Sequence, residues 1–339
     1  MIEVDARRPD QRIIASAADI LRKGGLVAFP TETVYGLGAN ALNAAAVAKI
    51  FRAKSRPAWN PLIVHTASIE AARALTTAWN DFAETLAYTF WPGPLTLVLP
   101  RHHSVPDIVT AGLPAVGIRV PSHPVAVALI KALNTPIAAP SANRFTELSP
   151  TTAAHVAESL GSRVDLILNG GPCDVGIEST VLDLSGLTPT ILRPGTITHD
   201  AISDALGAHV AFASHDSDED GAARLSPGRT QKHYAPRASL WLFDNTDTDD
   251  IRRAANEHLA RAADARVAAL VLDWSLSLPD TVRAIPMPRD PLAYARALYA
   301  TLHELDGEAF SVVAIERPPR TDAWAGVHDR LERAAHSAI

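Results

Sequence analysis

The sequence predicts an α/β protein of two domains, a larger one built on a mixed sheet and a smaller Rossmann-like one. Three observations carry this. Short apolar runs alternate with helical periods along nearly the whole chain. At 339 residues the chain exceeds what one hydrophobic core usually serves. Between residues 213 and 237 the periodicity stops in favour of Asp216, Asp218, Glu219 and Asp220, which reads as a linker. The expected layout is therefore a domain over 1–212, a linker over 213–237 and a second α/β domain over 238–339.

Residues 11–23 repeat apolar side chains on one face (Ile13, Ile14, Ala17, Ile20, Leu21) and end at Gly24-Gly25, a helix with a left-handed stop. Residues 26–29 are an apolar strand halted by Pro30, and the polar Thr31, Glu32, Thr33 and Tyr35 follow before Gly36-Leu37-Gly38. Asn43 caps a helix carrying Val47, Ile50 and Phe51, which delivers Lys54-x-Arg56 and Asn60-Pro61 to a strand over 62–65. Helices are expected near 69–75 and 82–88. Strands are expected over 95–99, 116–120 and 136–139, with a helix over 125–133. A polar loop, Pro140 to Asn143, leads through Ser149-Pro150 to a helix over 152–160, then strands over 165–168, 179–184 and 190–192. Some neighbouring strands are joined by turns too short for a parallel crossover, so the sheet must be mixed. Beyond the linker, strands over 240–243, 267–272 and 312–315 alternate with helices near 250–263 and 292–305.

Composition narrows the function. A net charge of −6 gives no global basic field for nucleic acid or anionic membrane. One cysteine, Cys173, excludes an internal disulfide and a cysteine-built zinc site. The first residues lack the layout of a signal peptide, and no apolar run approaches the roughly 20 residues of a membrane span. The expected location is cytoplasmic. Walker, Gly-x-Ser-x-Gly and His-Glu-x-x-His motifs are missing from the sequence.

Chemistry concentrates where strands end and loops begin. Lys54 and Arg56 offer a point charge and a planar fork, suited to a triphosphate. Ser141 and Asn143, with Ser149 near a helix start, form a candidate anion cradle; Ser149 as a plain helix cap is the bland alternative. Arg119 lies in an apolar strand and requires a carboxylate, from the protein (Glu178 is a candidate) or from a ligand. Cys173 has no activating neighbour in the sequence and reads as inert.

The runs Phe29 to Gly38, Lys54-x-Arg56, Asn60 to His65, Trp91-Pro92-Gly93-Pro94-Leu95-Thr96, Ala139 to Asn143 and Leu192-Arg193-Pro194-Gly195 together resemble the Sua5/YrdC family. Ser226-Pro227-Gly228 and Lys232-His233-Tyr234-Ala235-Pro236 resemble the linker of its two-domain Sua5 form. The resemblance implies a twisted YrdC-like α/β domain that joins L-threonine, bicarbonate or CO₂, and ATP into threonylcarbamoyl-AMP and pyrophosphate, serving the t6A modification of tRNA. It implies threonine contacts at Thr33, His65, Arg119, Ala139 (through backbone) and Ser179. It implies nucleotide contacts at Arg56, Asn60, Ala115, Ser141, Ser149, Arg193 and Gln231, with Lys54, Arg56, Ser141 and Asn143 as the catalytic set. Ala115 stands where a hydroxyl is frequent and Gln231 where the linker can supply a tyrosine. Mg²⁺ is implied as arriving with ATP, the linker as folding over the site, and the product as passing to the t6A transferase machinery without strong nucleic-acid binding by this chain. The alternative reading is a double-stranded-RNA or nucleotide-binding module without this activity.

Overall fold

The structure is a computed structural model that describes residues 1–213, 225, 235–244, 248–261, 265–272, 278–335 and 337–338. It divides into two compact units, Met1–Phe145 with Ser149–Thr230, and Thr146–Leu148 with Gln231–Ile339. The linker residues Ser226 to Tyr234, Gln231 among them, lie outside the described residues.

Among the described residues of the first unit, eleven strands make one sheet. In chain order they are β1 (Ile2–Glu3), β2 (Val27–Phe29), β3 (Gly36–Asn40), β4 (Ile63–His65), β5 (Leu95–Pro100), β6 (Ala115–Arg119), β7 (Ile137–Ala138), β8 (Leu166–Asn169), β9 (Thr180–Asp183), β10 (Thr190–Arg193) and β11 (Ala211–Phe212). The order across the sheet is β1-β8-β2-β3-β7-β4-β6-β5-β9-β10-β11. The sheet is mixed, as expected: β4 and β6 run parallel, while β7 opposes both β3 and β4. Helices Gln11–Arg22 and Pro124–Leu133 pack together over one buried cluster around Ile14, Leu21, Phe29 and Leu129. Helix Ala44–Lys54 covers a second cluster, through Val47, Ile50 and Phe51.

Two local features aim the site. Asn43 caps helix Ala44–Lys54, and its other end stops at Ser55, whose φ of 52° is left-handed. That turn leaves Lys54 and Arg56, on either side of it, both buried. The Gly36-Leu37-Gly38 stretch, to which the apolar pattern assigns no element, is the start of β3, antiparallel to β2. A Cβ on Gly38 would stand 2.7 Å from the Phe29 ring and 2.9 Å from Ile137, so here glycine makes room within a strand.

In the second unit, strands β12 (Ser239–Phe243), β13 (Val267–Val271), β14 (Val282–Pro286), β15 (Val312–Glu316) and β16 (Ser337–Ala338) form a parallel sheet in the order β14-β13-β15-β12-β16. Helices Thr248–Arg261, Pro291–Gly307 and Ala325–Ala334 connect them. Leu240, Phe243, Val267, Val312, Tyr294 and Leu298 are buried there. Strand β14 and helix Ala325–Ala334 escape the sequence reading. In β14 only Val282 is buried, while Arg283, Ala284 and Pro286 are exposed, so it lacks an apolar signature. Among the described residues no helix is long and apolar enough to cross a membrane.

Candidate active site

The site forms in the first unit, where β2, β4, β6 and β7 end, from the stretches 31–35, 55–61, 139–145 and 173–179 and from Ser149. Its most telling member is Arg119, the last residue of β6, 3% exposed. Its Nη2 lies 2.6 Å from Glu32 Oε1, its Nη1 donates to Thr33 Oγ1 at 3.0 Å, and its Nε donates to the Gly93 carbonyl at 3.1 Å. Arg119 therefore has a protein carboxylate, but it is Glu32; Glu178 instead accepts from Ser149 Oγ at 2.5 Å. Burial alone would raise the Glu32 carboxyl, but the Arg119 charge beside it prevails and holds it below the usual carboxylate range.

His65 sits opposite Arg119 in the β4–β6 register. Burial pushes its imidazole down to about 3, aided by the Arg119 charge, so the ring is neutral at neutral pH. Its buried Nδ1 has no partner among the described residues. The Ala139 amide, also in the expected set, donates to the Ile63 carbonyl at 3.0 Å. Thr31 Oγ1 lies 2.8 Å from Thr33 Oγ1, fixing the hydroxyl that meets Arg119.

A second constellation gathers at the end of helix Ala44–Lys54. Lys54 Nζ donates to the Ser141 carbonyl at 2.6 Å and to the Asn143 carbonyl. Arg56 donates through Nη2 to Asn60 Oδ1 at 2.5 Å and to the Pro61 carbonyl at 2.9 Å, and its guanidinium lies 6.0 Å from the Phe145 ring centre. Asn60 Nδ2 is buried without a partner among the described residues. Ala115 borders a small hollow shared with Ile63, Thr96, Val98, Thr110 and Leu225. At the far wall Arg193 donates twice to the Ser179 carbonyl, at 3.2 Å and 3.0 Å, and Ser179 Oγ lies 2.8 Å from Thr96 Oγ1.

Backbone pairing joins the constellations. Leu37 N–H donates to the Pro140 carbonyl and Ala142 N–H to Tyr35, both at 2.8 Å, around a Gly36–Ser141 bridge. Gly176 N–H donates to the Thr33 carbonyl at 3.1 Å, which ties the 173–179 loop to the threonines. Cys173 in that loop is buried and its thiol is pushed up chiefly by burial, which fits its reading as inert. Ser149 is no helix cap, since Thr152 fills that role for Ala153–Leu160.

Charge summarises the site. The buried Lys, Arg, Asp and Glu side chains described in the first unit are Lys54, Arg56, Arg119, Arg193, Glu32 and Glu178, all of them here. Four cations against two carboxylates leave a buried positive excess, an arrangement made for anions. Sequence reasoning missed Glu32 as the Arg119 partner and Phe145 beneath Arg56. The signal for Glu32 was its place beside Thr33, in the polar loop between β2 and β3.

The family model described as "Telomere recombination", which groups Sua5, YciO and YrdC, matches residues 19–195, more than half the chain. The chain belongs to the Sua5/YrdC family. A second model, "Threonylcarbamoyl-AMP synthase, C-terminal domain", matches residues 197–336. The chain is 40% identical over 330 residues to the threonylcarbamoyl-AMP synthase of Pyrococcus abyssi, covering 95% of this chain and 94% of that one. It is 41% identical over 330 residues to the protein of that name from Bacillus subtilis, covering 96% and 94%. The crystal structure of P. abyssi Sua5 complexed with L-threonine superposes with a TM-score of 0.90 at 37% identity, covering 100% of this chain and 99% of that one. Within the Sua5/YrdC family the chain thus follows the long, two-domain form.

Proposed function

We propose that this chain is an L-threonylcarbamoyladenylate synthase, a nucleotidyltransferase that makes threonylcarbamoyl-AMP and pyrophosphate from L-threonine, CO₂ or bicarbonate, and ATP. The product serves tRNA t6A modification, and the setting is cytoplasmic. The observation that carries the reading is the buried excess of positive charge in the first unit, centred on an arginine at a strand end.

Threonine is assigned to the Arg119 end. Its carboxylate takes the guanidinium, shared with Glu32, and its polar groups meet Thr33 Oγ1, neutral His65, the Ala139 backbone and Ser179. An uncharged imidazole beside the amine favours the unprotonated nucleophile, because it adds no second cation. The amine nitrogen adds to the CO₂ carbon and loses a proton, giving a carbamate. A carbamate oxygen then attacks the α-phosphorus, the α–β phosphoanhydride breaks and pyrophosphate leaves. Protein groups stabilise charge without forming a covalent bond.

ATP is assigned to Lys54, Arg56, Asn60, Ser141, Asn143, Ser149 and Arg193, with its adenine on the Ala115 side. The orphaned Nδ2 of Asn60 supports this, since a phosphate oxygen would satisfy it. A divalent cation accompanies nucleotide chemistry of this class, and Mg²⁺ is the proposed one. The described site offers ammonium, guanidinium, hydroxyl and amide groups, and both of its carboxylates are already engaged, Glu32 by Arg119 and Glu178 by Ser149. Such a donor set suits an ion carried on the triphosphate better than a protein carboxylate cage. Gln231 is kept as a proposed nucleotide contact on the resemblance alone.

The deciding assay measures pyrophosphate release from ATP with threonine and bicarbonate supplied singly and together. Release that needs both is the expected result. Release indifferent to threonine would sink the synthase reading.

A further inference from the structure

The second unit contains a cleft of about 440 Å³, lined by Asp244, Leu272, Arg289, Glu316, Arg317, Pro319 and Trp324 among the described residues. Five of these seven stand at or just past the carboxyl ends of parallel strands: Asp244 after β12, Leu272 after β13, Arg289 after β14, Glu316 and Arg317 at the end of β15. The strand order gives the place its meaning. The chain leaving β13 goes outward to β14, while the chain leaving β15 goes the other way, past β12 to β16. Neighbouring strands β13 and β15 thus send their connections to opposite sides, and the cleft opens at that switch point. In open parallel sheets this crevice is where ligands bind.

The side chains divide into a frame and a mouth. Arg289 Nε donates to the Leu272 carbonyl at 3.0 Å, and Leu272 N–H donates to Glu316 Oε2 at 2.5 Å. Two charged groups so hold both backbone polar groups of one residue just past the end of β13. Arg317 Nε lies 3.7 Å from Asp244 Oδ1, too far for a direct hydrogen bond, and the Asp244 side chain is 62% exposed. Leu272 and Trp324 provide the apolar wall, with Tyr294 packed edge-on behind Trp324 at 5.3 Å.

We propose that this cleft binds a nucleoside monophosphate, with the phosphate on Arg317, the ribose hydroxyls on Asp244 and the base against Leu272 and Trp324. A volume of this size suits a mononucleotide and far exceeds a simple ion. Guanidinium is matched to phosphate, and a carboxylate at a strand end is matched to vicinal hydroxyls. The proposal concerns the second unit and does not rest on the synthase reading.

The experiment is equilibrium dialysis of radiolabelled AMP against the full chain. Two sites per chain are expected. Arg317→Ala should weaken one of them at least about tenfold and spare the other, whereas a chain carrying Arg56→Ala and Asn60→Ala should keep the Arg317-dependent site. Asp244→Asn, at an exposed side chain, should weaken AMP to the level that 2′,3′-dideoxy-AMP shows on the unaltered chain. A single site that vanishes with Arg317→Ala still supports the cleft, and overturns instead the nucleotide placement in the first unit. A single site lost with Arg56→Ala and indifferent to Arg317→Ala overturns the proposal. So does displacement by inorganic phosphate or L-threonine as effective as that by AMP.

Discussion

Arg119 and Glu32 form a buried pair whose two members differ in what their loss does. Removing Arg119 alone strands a carboxylate in a site 5% exposed, a change of about 3–5 kcal/mol in stability. Arg119→Ala should therefore lower stability and abolish threonine binding together. The double change Arg119→Ala with Glu32→Gln should restore most of the stability without restoring threonine binding. Calorimetry with each substrate checks this, and equal losses for threonine and ATP would refute the carboxylate role. His65 makes a pH prediction. Its folded value of about 3 lies below the ordinary 6.5, so the unfolded chain takes up the proton first. Its contribution is intact above about pH 6.5 and declines as pH falls toward 3. Glu32, also depressed, loses its contribution below its ordinary 4.5, in the same direction. Urea midpoints of the first unit should accordingly fall on acidification from neutral pH, and His65→Gln should flatten the fall above pH 4.5. Most of this site was legible as residue types in motifs. The pairing of Arg119 with Glu32 was not, because Glu32 and Glu178 are chemically equal candidates until the strand order brings one of them close.

Among elements, the strands of mainly apolar character, β2, β4, β5 and β6, were readable from their runs alone, and the ends of β2, β4 and β6 place the site. Strand β3 was hidden by its glycines. It is a strand because it pairs with β2 and β7, and position 38 is glycine because the Phe29 ring and Ile137 occupy the space a side chain would need, a fact that belongs to packing between strands. Strand β14 was hidden by its exposure. Gly195, just past β10, shows the same dependence on close approach: a Cβ there would stand 2.4 Å from the Thr180 nitrogen and 2.8 Å from the Ser179 carbonyl carbon. Gly195→Ala must push the β9 backbone aside. It should cost about 1–3 kcal/mol and weaken threonine binding through Ser179, whose carbonyl holds Arg193. Denaturant midpoints and threonine titration test this; an unchanged affinity would detach Ser179 from the site.

At the scale of the molecule, two units with separate cores were expected from length and from the loss of periodicity, and two compact units are found. The exact limits 1–212, 213–237 and 238–339 are a proposal, since most of the expected linker lies outside the described residues. The first unit holds its own buried clusters, so a fragment of residues 1–213 should fold alone, with dispersed amide spectra and a cooperative melt. A fragment that stays unfolded would show that its core is incomplete. The pairing of Tyr35 to Leu37 with Pro140 to Ala142 has a consequence for inhibition. Because that ribbon ties together the elements that carry the two proposed substrate positions, a single unreactive molecule spanning them would engage its second half at high effective concentration. Such a bisubstrate compound should outbind ATP and threonine analogues used together, and its optimal linker length would measure, in solution, the spacing that the ribbon sets.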